Sequence, residues 1–422
     1  MKEDFLHYVW QFKKFDVLAV KTVQGEAISI INSGQYLQLA GPDFFNAQLM
    51  IDDQKWAGNV EIHLKSSDWY IHNHETDAAY DSVVLHVVWE HDTEVFRQDN
   101  TEIPVLELKH YVSPEVLNSY NALAAAKSWI YCENELEGIN SFTLSNWKER
   151  LFFERLERKA LPILELSRAT GNDWEAVLFN FLAKSFGLNT NGDIFYKIAK
   201  SLPFAVVRRE SFEFENLEAL FFGRAGLLDA EHEDVYFKDL KSRYDYICHK
   251  YRLDKVHVDA LQFFKHRPDN FPTIRLSQLA QLYHKHQNLF SKLTEGASVA
   301  DIYKIFEVQV SPYWQTHYTF DKESSKKRKV LTPSFVDLLI INTIVPFKFA
   351  YERSIGKENP ENLLHLLQSI APEKNAVIDK FRQFKVNIQS AYDSQSLLQL
   401  RNEYCTHKRC LQCAVGLELL KR

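Results

Sequence analysis

Two carboxylates near the start of the chain have the types and spacing of a divalent-cation site. Asp43 follows Gly41-Pro42, and Glu61 lies eighteen positions further along. Each lies in or beside a strand-like run, and a hairpin between the runs would bring the two side chains together. Two neighbouring carboxylates stay ionised when a cation lies between them, and oxygen ligands suit Mg²⁺ or Mn²⁺. We therefore expect Asp43 and Glu61 to be metal ligands and catalytic residues.

Basic residues on the same strand could complete this site. Alternation along a strand places Glu61, His63 and Lys65 on one face. His63 or Lys65 would orient the attacking water or stabilise the charge of the transition state, so both are candidate catalytic residues. The plainer alternatives are that Asp43 only caps a turn and that Glu61 lies on a solvated strand face.

Three further histidines lie within the same stretch of sequence. His72 and His74 belong to a polar segment for which Ser67 is a candidate helix N-cap. In a helix, His72 and His74 point apart, so we expect a solvated helix start; only a looped backbone would bring both to one metal. His86 interrupts the apolar run VVLHVV and is expected to be a hydrogen-bonded core residue.

The last residues of the chain contain a second group of metal-ligand types. Cys405, Cys410 and Cys413 have the spacing C-x₄-C-x₂-C, and thiolates are soft ligands for zinc or for an iron–sulfur cluster. We expect Cys132 to be the fourth ligand rather than His407, which a helical chain would turn away from the sulfurs. Such a centre would be structural. The alternative is that the cysteines are small buried hydrophobes on a C-terminal helix.

Two regions of the chain, which differ in their hydrophobic periodicity, would position these groups. Between a first helix, FLHYVWQF, and residue 112, short alternating runs predict a sheet of at least four strands with a second helix beginning near Ser67. From Ser113 onward helical periods dominate. We therefore predict an α+β protein, with an α/β domain over residues 1–112 and a large all-α region with the cysteine cluster over residues 113–422.

Composition limits the classes of function. The chain has 422 residues and a net charge of −6, so its average surface is not that of a strongly basic nucleic-acid binder. A nucleic-acid partner would need a local basic groove, and the run SSKKRK is better interpreted as a solvated loop. We expect no signal peptide at the N-terminus. We also expect no membrane span, because the apolar run FVDLLIINTIVPFKFAY is interpreted as a buried helix. The five cysteines favour reduced thiols, and we expect a cytoplasmic protein.

The order of elements carries a resemblance. Helix, three strands, helix and strand, with Pro42-Asp43 at the second strand and Glu61-Ile62-His63 at the third, resembles the PD-(D/E)xK nuclease fold. This resemblance implies that the two acids hold a divalent metal and that the basic residue positions the water, with His63 in the place of the usual lysine. It implies a metal-dependent nuclease acting on DNA or RNA. The alternative is a non-catalytic nucleic-acid-binding or scaffold protein on a degenerate nuclease fold, and the missing lysine supports it.

A second resemblance extends over nearly the whole chain. The phrases AGPDFFNA, NVEIHLKSSDWYIHNHETDAAYDSVVLHVV, LFFGRAGLL, RPDNFPTIRL, WQTHYTF and YCTHKRCLQCAVG resemble a bacterial family of uncharacterised proteins, a domain of unknown function. That family implies no activity, so the functional expectation rests on the residues above.

Overall fold

The computed structural model describes residues 1–36, 41–125, 129–254, 256, 258–263, 266–357 and 360–421. The chain forms two compact units. The first comprises Met1–Trp147, Phe381–Val386 and Leu400–Arg422, and the second comprises Lys148–Lys380 and Asn387–Gln399. The predicted boundary at residue 112 differs from this division. The reason is that the C-terminal segment returns to the first unit, where Leu411, Leu417 and Leu420 pack against the sheet core.

The regular elements of the described residues follow in chain order. The helices are α1 Glu3–Gln11, α2 Asp68–Ile71, α3 Pro114–Ala125, α4 Ser141–Ala169, α5 Trp174–Phe186, α6 Leu188–Lys200, α7 Phe204–Glu210, α8 Phe214–Arg224, α9 Val235–Tyr251, α10 Pro272–Lys285, α11 Leu289–Thr294, α12 Val299–Ile305, α13 Pro312–Thr316, α14 Pro333–Leu339, α15 Val345–Ser354, α16 Pro360–Gln368, α17 Ala376–Gln383, α18 Ala391–Gln399 and α19 Ala414–Leu419. The strands are β1 Ile28–Asn32, β2 Gln35–Tyr36, β3 Phe44–Ile51, β4 Gln54–Lys65, β5 Val83–Glu90, β6 Val105–Glu107, β7 His317–Thr319 and β8 Lys322–Glu323.

A mixed sheet organises the first unit. Its order is β1-β3-β4-β5-β6, and β2 also pairs with β3. The pairs β1–β3 and β3–β4 are antiparallel, whereas β4–β5 and β5–β6 are parallel. The predicted sheet of at least four strands is therefore present. The hairpin turn between β3 and β4 is confined to Asp52-Asp53, and Asp52 takes a left-handed conformation with φ 49°.

The two faces of the sheet are covered differently. On one face, Phe5 and Val9 of α1 pack with Val60, Ile62 and Val87 in the main core of the unit. On the other face, a smaller core forms around Trp69 at the start of α2. Because side chains alternate along a strand, burying Val60 and Ile62 under α1 turns Glu61 and His63 toward the opposite face.

The second helix is much shorter than the sequence predicts. It ends after one turn at Ile71, and Asn73 adopts a left-handed conformation with φ 60°. Two 3₁₀ turns follow, His74–Thr76 and Ala78–Tyr80. Asparagine tolerates the left-handed region because its short polar side chain bonds locally, so the helix stops here. Ser67 is not a side-chain cap; its hydroxyl donates instead to Asp92.

The second unit is mostly helical, but it is not all-α as predicted. A two-stranded antiparallel hairpin, β7–β8, interrupts the helices. The core contains stacked aromatic pairs, Phe179 on Phe221 and Phe222 on Trp314, all of them buried. In the basic run predicted as a solvated loop, residues 326–328 are exposed, whereas Lys329 is buried and donates to the Trp314 and His317 carbonyls.

One helical run among the described residues is long and apolar enough to cross a membrane by length and composition. It is Pro333–Ser354, and 67% of its most apolar window is buried. The run continues from α14 through a π-helical turn, Ile340–Ile344, into α15. Ile340, Ile344 and Phe347 are fully buried, as in the core helix of a folded unit, which agrees with the buried helix predicted for this segment.

Candidate metal and active site

Glu61 is buried near the middle of the sheet and is linked to Asp43 across the β3–β4 pair. The Asp43 backbone N–H donates to Glu61 Oε2 at 3.1 Å, and the Ile62 N–H donates to Asp43 Oδ2 at 3.0 Å. The Glu61 side chain is 6% exposed and that of Asp43 is 22% exposed. The two predicted acids are therefore brought together, with Asp43 as the more accessible of the two.

His63 lies on the same face as Glu61, as strand alternation predicts. Its Nε2 is 3.5 Å from Glu61 Oε1 and 3.0 Å from His72 Nδ1. Its Nδ1 is 2.8 Å from Nε2 of His86, which comes from the neighbouring strand β5 and is fully buried. His86 is thus the hydrogen-bonded core residue that the sequence predicted, and its partner is His63.

The broken helix brings His72 and His74 to the same place. The left-handed Asn73 between them redirects the chain, and His74 Nε2 lies 3.4 Å from Glu61 Oε1. Ligand atoms of His63, His72 and His74 all lie within 4.8 Å of one another. The expectation that His72 and His74 point apart in a solvated helix start was wrong, because the helix on which it rested ends at Ile71.

The distances in this cluster fit one metal ion. Ligand atoms around a tetrahedral ion with bonds of about 2.0–2.1 Å lie about 3.3 Å apart. Three of the six separations among these four ligand groups, His63 to His72, His74 to Glu61 and His63 to Glu61, are 3.0, 3.4 and 3.5 Å. The donor set is three imidazoles and one carboxylate, with Asp43 beside it. We call Asp43, Glu61, His63, His72, His74 and His86 the histidine–carboxylate cluster.

Burial sets the protonation of the buried histidines. Burial, followed by the neighbouring histidines, lowers the pKa of His63 to about 2, and burial lowers the pKa of His86 to about 3. Both rings are therefore neutral at physiological pH and keep a lone pair for a metal or a hydrogen bond. If His63 Nδ1–H donates to His86, the lone pair of His63 Nε2 faces His72 and Glu61.

The same burial disfavours a bare Glu61 carboxylate. Burial raises the pKa of Glu61, and the charge of Asp43 raises it further, although hydrogen bonds from His74 and Asp43 oppose the shift. A bound cation would reverse this balance by favouring the ionised carboxylate. Tyr80 packs its ring on His74 at a centroid distance of 3.7 Å, so the orientation of His74 is fixed from the far side.

The first helix adds two groups that the sequence argument missed. His7 Nε2 lies 3.1 Å from Asp43 Oδ2, and His7 Nδ1 lies 3.2 Å from the Tyr36 hydroxyl. Glu3 is half-buried, and its pKa is raised by burial and then by the charge of Asp43. The available signal was the four-residue spacing of Glu3 and His7 on an otherwise apolar helix, which places both on one face.

Lys65 lies apart from these groups. Its ammonium is 3.9 Å from Glu90 Oε1 and 4.0 Å from Asp92 Oδ2, and its side chain is half-exposed. Of the two predicted basic residues of β4, His63 is therefore the one in contact with Glu61, and Lys65 ends the strand among surface carboxylates.

The four predicted cysteines also come together, in a second place within the first unit. Cys132, Cys405, Cys410 and Cys413 line one small, mainly apolar cavity. His407, the weaker candidate for a fourth ligand, is exposed and does not line it. The predicted preference for Cys132 over His407 therefore agrees with the positions of these side chains.

The comparison with protein families relates the chain to one of them. Residues 3–376 match the model of the family described as protein of unknown function (DUF2851). The chain belongs to this family. The matched part of this DUF2851 protein includes the histidine–carboxylate cluster and Cys132 but ends before Cys405. No curated protein and no solved structure matches the chain. The predicted membership of a family of unknown function is confirmed.

Proposed function

We propose that this chain is a metal-dependent nuclease that hydrolyses phosphodiester bonds of DNA or RNA at the histidine–carboxylate cluster. The observation that carries the proposal is the convergence of His63, His72 and His74 on Glu61, with Asp43 hydrogen-bonded beside it. Two of these imidazoles, those of His63 and His74, are buried against the Glu61 carboxylate. Burying polar groups together at ligand spacing is costly without a cation, because each group loses its contact with water.

The arrangement of the sheet supports the nuclease class. Apart from the two-residue strand β2, the chain order is α1, the antiparallel strands β1, β3 and β4, α2, and then β5, which is parallel to β4. This is the order that the PD-(D/E)xK resemblance implies, with β3 and β4 as its second and third strands. Asp43 lies just before β3 and Glu61 lies within β4, the places that the resemblance gives to the two acids. The proposed site departs from the PD-(D/E)xK pattern at one position: His63 acts as a metal ligand, whereas the usual lysine would position the water.

The donor set bears on which metal would bind. Two carboxylates alone favour Mg²⁺ or Mn²⁺, but imidazole nitrogens shift the preference toward Mn²⁺ or Zn²⁺. We propose Mn²⁺ or Zn²⁺, held by His63, His72, His74 and Glu61. With these four residues as ligands, the ion would need a fifth or sixth coordination position to polarise the phosphate and to make a water more acidic.

The chain's own residues supply the remaining tasks. His86 holds the His63 ring through Nδ1, and Tyr80 holds His74. Asp43 and His7 form the accessible proton-handling pair, because Asp43 Oδ2 lies 3.1 Å from His7 Nε2 and both side chains reach solvent. In this proposal Asp43 accepts the proton of the attacking water, and His7 orients the Asp43 carboxylate.

A cleavage assay tests the proposal. The metal-free chain would be incubated with single- and double-stranded DNA and RNA in the presence of Mn²⁺, Zn²⁺ or Mg²⁺. Glu61→Gln should lower cleavage roughly 100-fold, the usual loss when one group that stabilises the transition state is removed. Glu94→Gln, which alters an exposed carboxylate of the same unit, is the matched control and should cleave normally. Cleavage that persists in a folded Glu61→Gln protein would refute the assignment.

The alternative is a nucleic-acid-binding or scaffold protein on the same fold, and one observation favours it. Glu61, His63 and His74 are all largely buried, so a phosphate would approach only through Asp43, His7 and the exposed His72. The same assay separates the two functions. Retention of substrate on the protein, without cleavage by any of the three metals, would favour the alternative.

A further inference from the structure

The four cysteines are held by segments that are distant in sequence. Cys132 lies in a turn after α3, and Cys405 ends a π-helical turn, Leu400–Cys405. Cys410 begins a 3₁₀ turn, Cys410–Gln412, and Cys413 immediately precedes α19. Four different local structures therefore direct the four thiols into one cavity. Small hydrophobes on a single C-terminal helix, the plainer expectation, would not need this arrangement.

The backbone around the cavity is tightly constrained. Gly416 lies so close to the carbonyl oxygen of Cys410 that a Cβ at position 416 would be 2.1 Å from that oxygen. Only glycine allows this approach, which folds the Cys410 turn over the start of α19. Burial raises the pKa of Cys413, and hydrogen bonds from the backbone N–H groups of Gly416 and Val415 oppose this shift by favouring the thiolate. Amide groups directed at a sulfur are a common way of stabilising a thiolate that carries a metal.

Without a metal these thiols are in an unfavourable environment for ionisation. Burial raises the pKa of Cys410 to about 12, with Cys413 the next cause. Burial also raises the pKa of Cys405, with the charges of the other three cysteines as further causes. The thiols are therefore close enough to influence one another. A metal centre would take them as thiolates and release their protons.

The spacing of the sulfurs distinguishes two kinds of centre. Four sulfurs around a single zinc ion, with bonds of about 2.3 Å, lie about 3.8 Å apart. Among the described residues, no three cysteine sulfurs all lie within 4.8 Å of one another, although ligand atoms of His63, His72 and His74 do. An iron–sulfur cluster needs wider spacing, because its own irons and sulfides separate the thiolates.

We propose that Cys132, Cys405, Cys410 and Cys413 bind an iron–sulfur cluster. The inference is independent of the nuclease proposal, because the cysteine cavity does not include the histidine–carboxylate cluster. The centre fastens the C-terminal segment to the rest of the first unit, where Leu411 already packs against the core that includes α1. Closing a loop between Cys132 and Cys405 restricts the unfolded chain, so the cluster stabilises the unit.

Anaerobic purification of the full chain tests the proposal. Iron and acid-labile sulfide should be present, with a broad visible absorption that bleaches on reduction. Serine substitution of each of the four cysteines should abolish the absorption and the bound iron. Cys248→Ser is the matched control, because Cys248 lies on α9 in the second unit and does not line the cavity. The control protein should keep its full iron content.

A second measurement is needed in case a serine variant fails to fold. The intact chain, stripped of metal, would be incubated anaerobically with iron and sulfide, and its thermal unfolding compared with that of the stripped protein. Uptake of iron with a rise in Tm supports the proposal. Zinc bound in place of iron, or an intact chain that takes up no iron and whose Tm does not change, would overturn it.

Discussion

His86 offers a sharp test of the metal site, because it touches a proposed ligand without being one. It is fully buried on β5, and its Nε2 lies 2.8 Å from His63 Nδ1. His86→Leu removes this hydrogen bond while filling most of the same volume with apolar atoms. The His63 ring then loses the partner that fixes its orientation and its tautomer. We expect the variant to fold and to bind the metal more weakly.

The size of the effect follows from the role of such partners. Removing the group that orients a metal-binding histidine lowers the affinity by about 10–100-fold. A metal present at 100 times its Kd stabilises the native state by about 2.7 kcal/mol. If the affinity falls 100-fold, the same metal concentration only equals the new Kd, and the stabilisation of the native state falls to about 0.4 kcal/mol. A tenfold weakening leaves about 1.4 kcal/mol.

Thermal or urea unfolding with and without Mn²⁺ or Zn²⁺ measures this difference, and calorimetric titration gives the Kd directly. His86→Gln, whose amide can still reach His63, should recover part of the affinity. Val87→Ala is the matched control, since Val87 is equally buried on the same strand but belongs to the α1-facing core. The Val87→Ala substitution should lower the free energy of unfolding but should leave the additional stabilisation by the metal unchanged. A normal increment in a folded His86→Leu protein would show that His63 is not a ligand oriented by His86.

Three further predictions concern charge and packing. Glu218 is fully buried, and burial raises its pKa to about 7 from the ordinary 4.5, so the native state loses stability as pH rises through this window. As the pH rises from 4.5 to 8, the free energy of unfolding of Glu218→Gln, measured in urea, should therefore increase by up to about 3 kcal/mol relative to that of wild type. A difference between the two proteins that does not change with pH would contradict this prediction. Gly58→Ala should cost roughly 1–3 kcal/mol, because its Cβ would lie 2.5 Å from the Ser82 carbonyl oxygen and 2.4 Å from Val84 Cγ1; a native-like Tm would contradict it. Lys65→Ala should change stability by less than about 0.5 kcal/mol and should leave cleavage intact, because its ion pairs are long and half-exposed; a large loss of activity would return Lys65 to the site.

The sequence by itself determined the parts of this protein that depend on local periodicity. Alternation placed Glu61 and His63 on one strand face, and the structure agrees because Val60 and Ile62 must be buried under α1. The α+β class followed from the change of period near residue 113. Thiol chemistry and spacing also selected Cys132 to join the C-terminal cysteines, and all four line one cavity.

The tertiary structure alone decided which further groups join Asp43, Glu61 and His63 in the candidate site. His72 and His74 meet because Asn73 adopts a left-handed conformation and ends α2 after one turn, which a helical pattern in the sequence does not reveal. His7 reaches Asp43 because α1 packs across the sheet, a contact between segments far apart in the chain. Lys65 turns to Glu90 and Asp92, since the strand ends beside these charges. Such contacts depend on how segments pack in three dimensions, and residue spacing along the chain does not specify them.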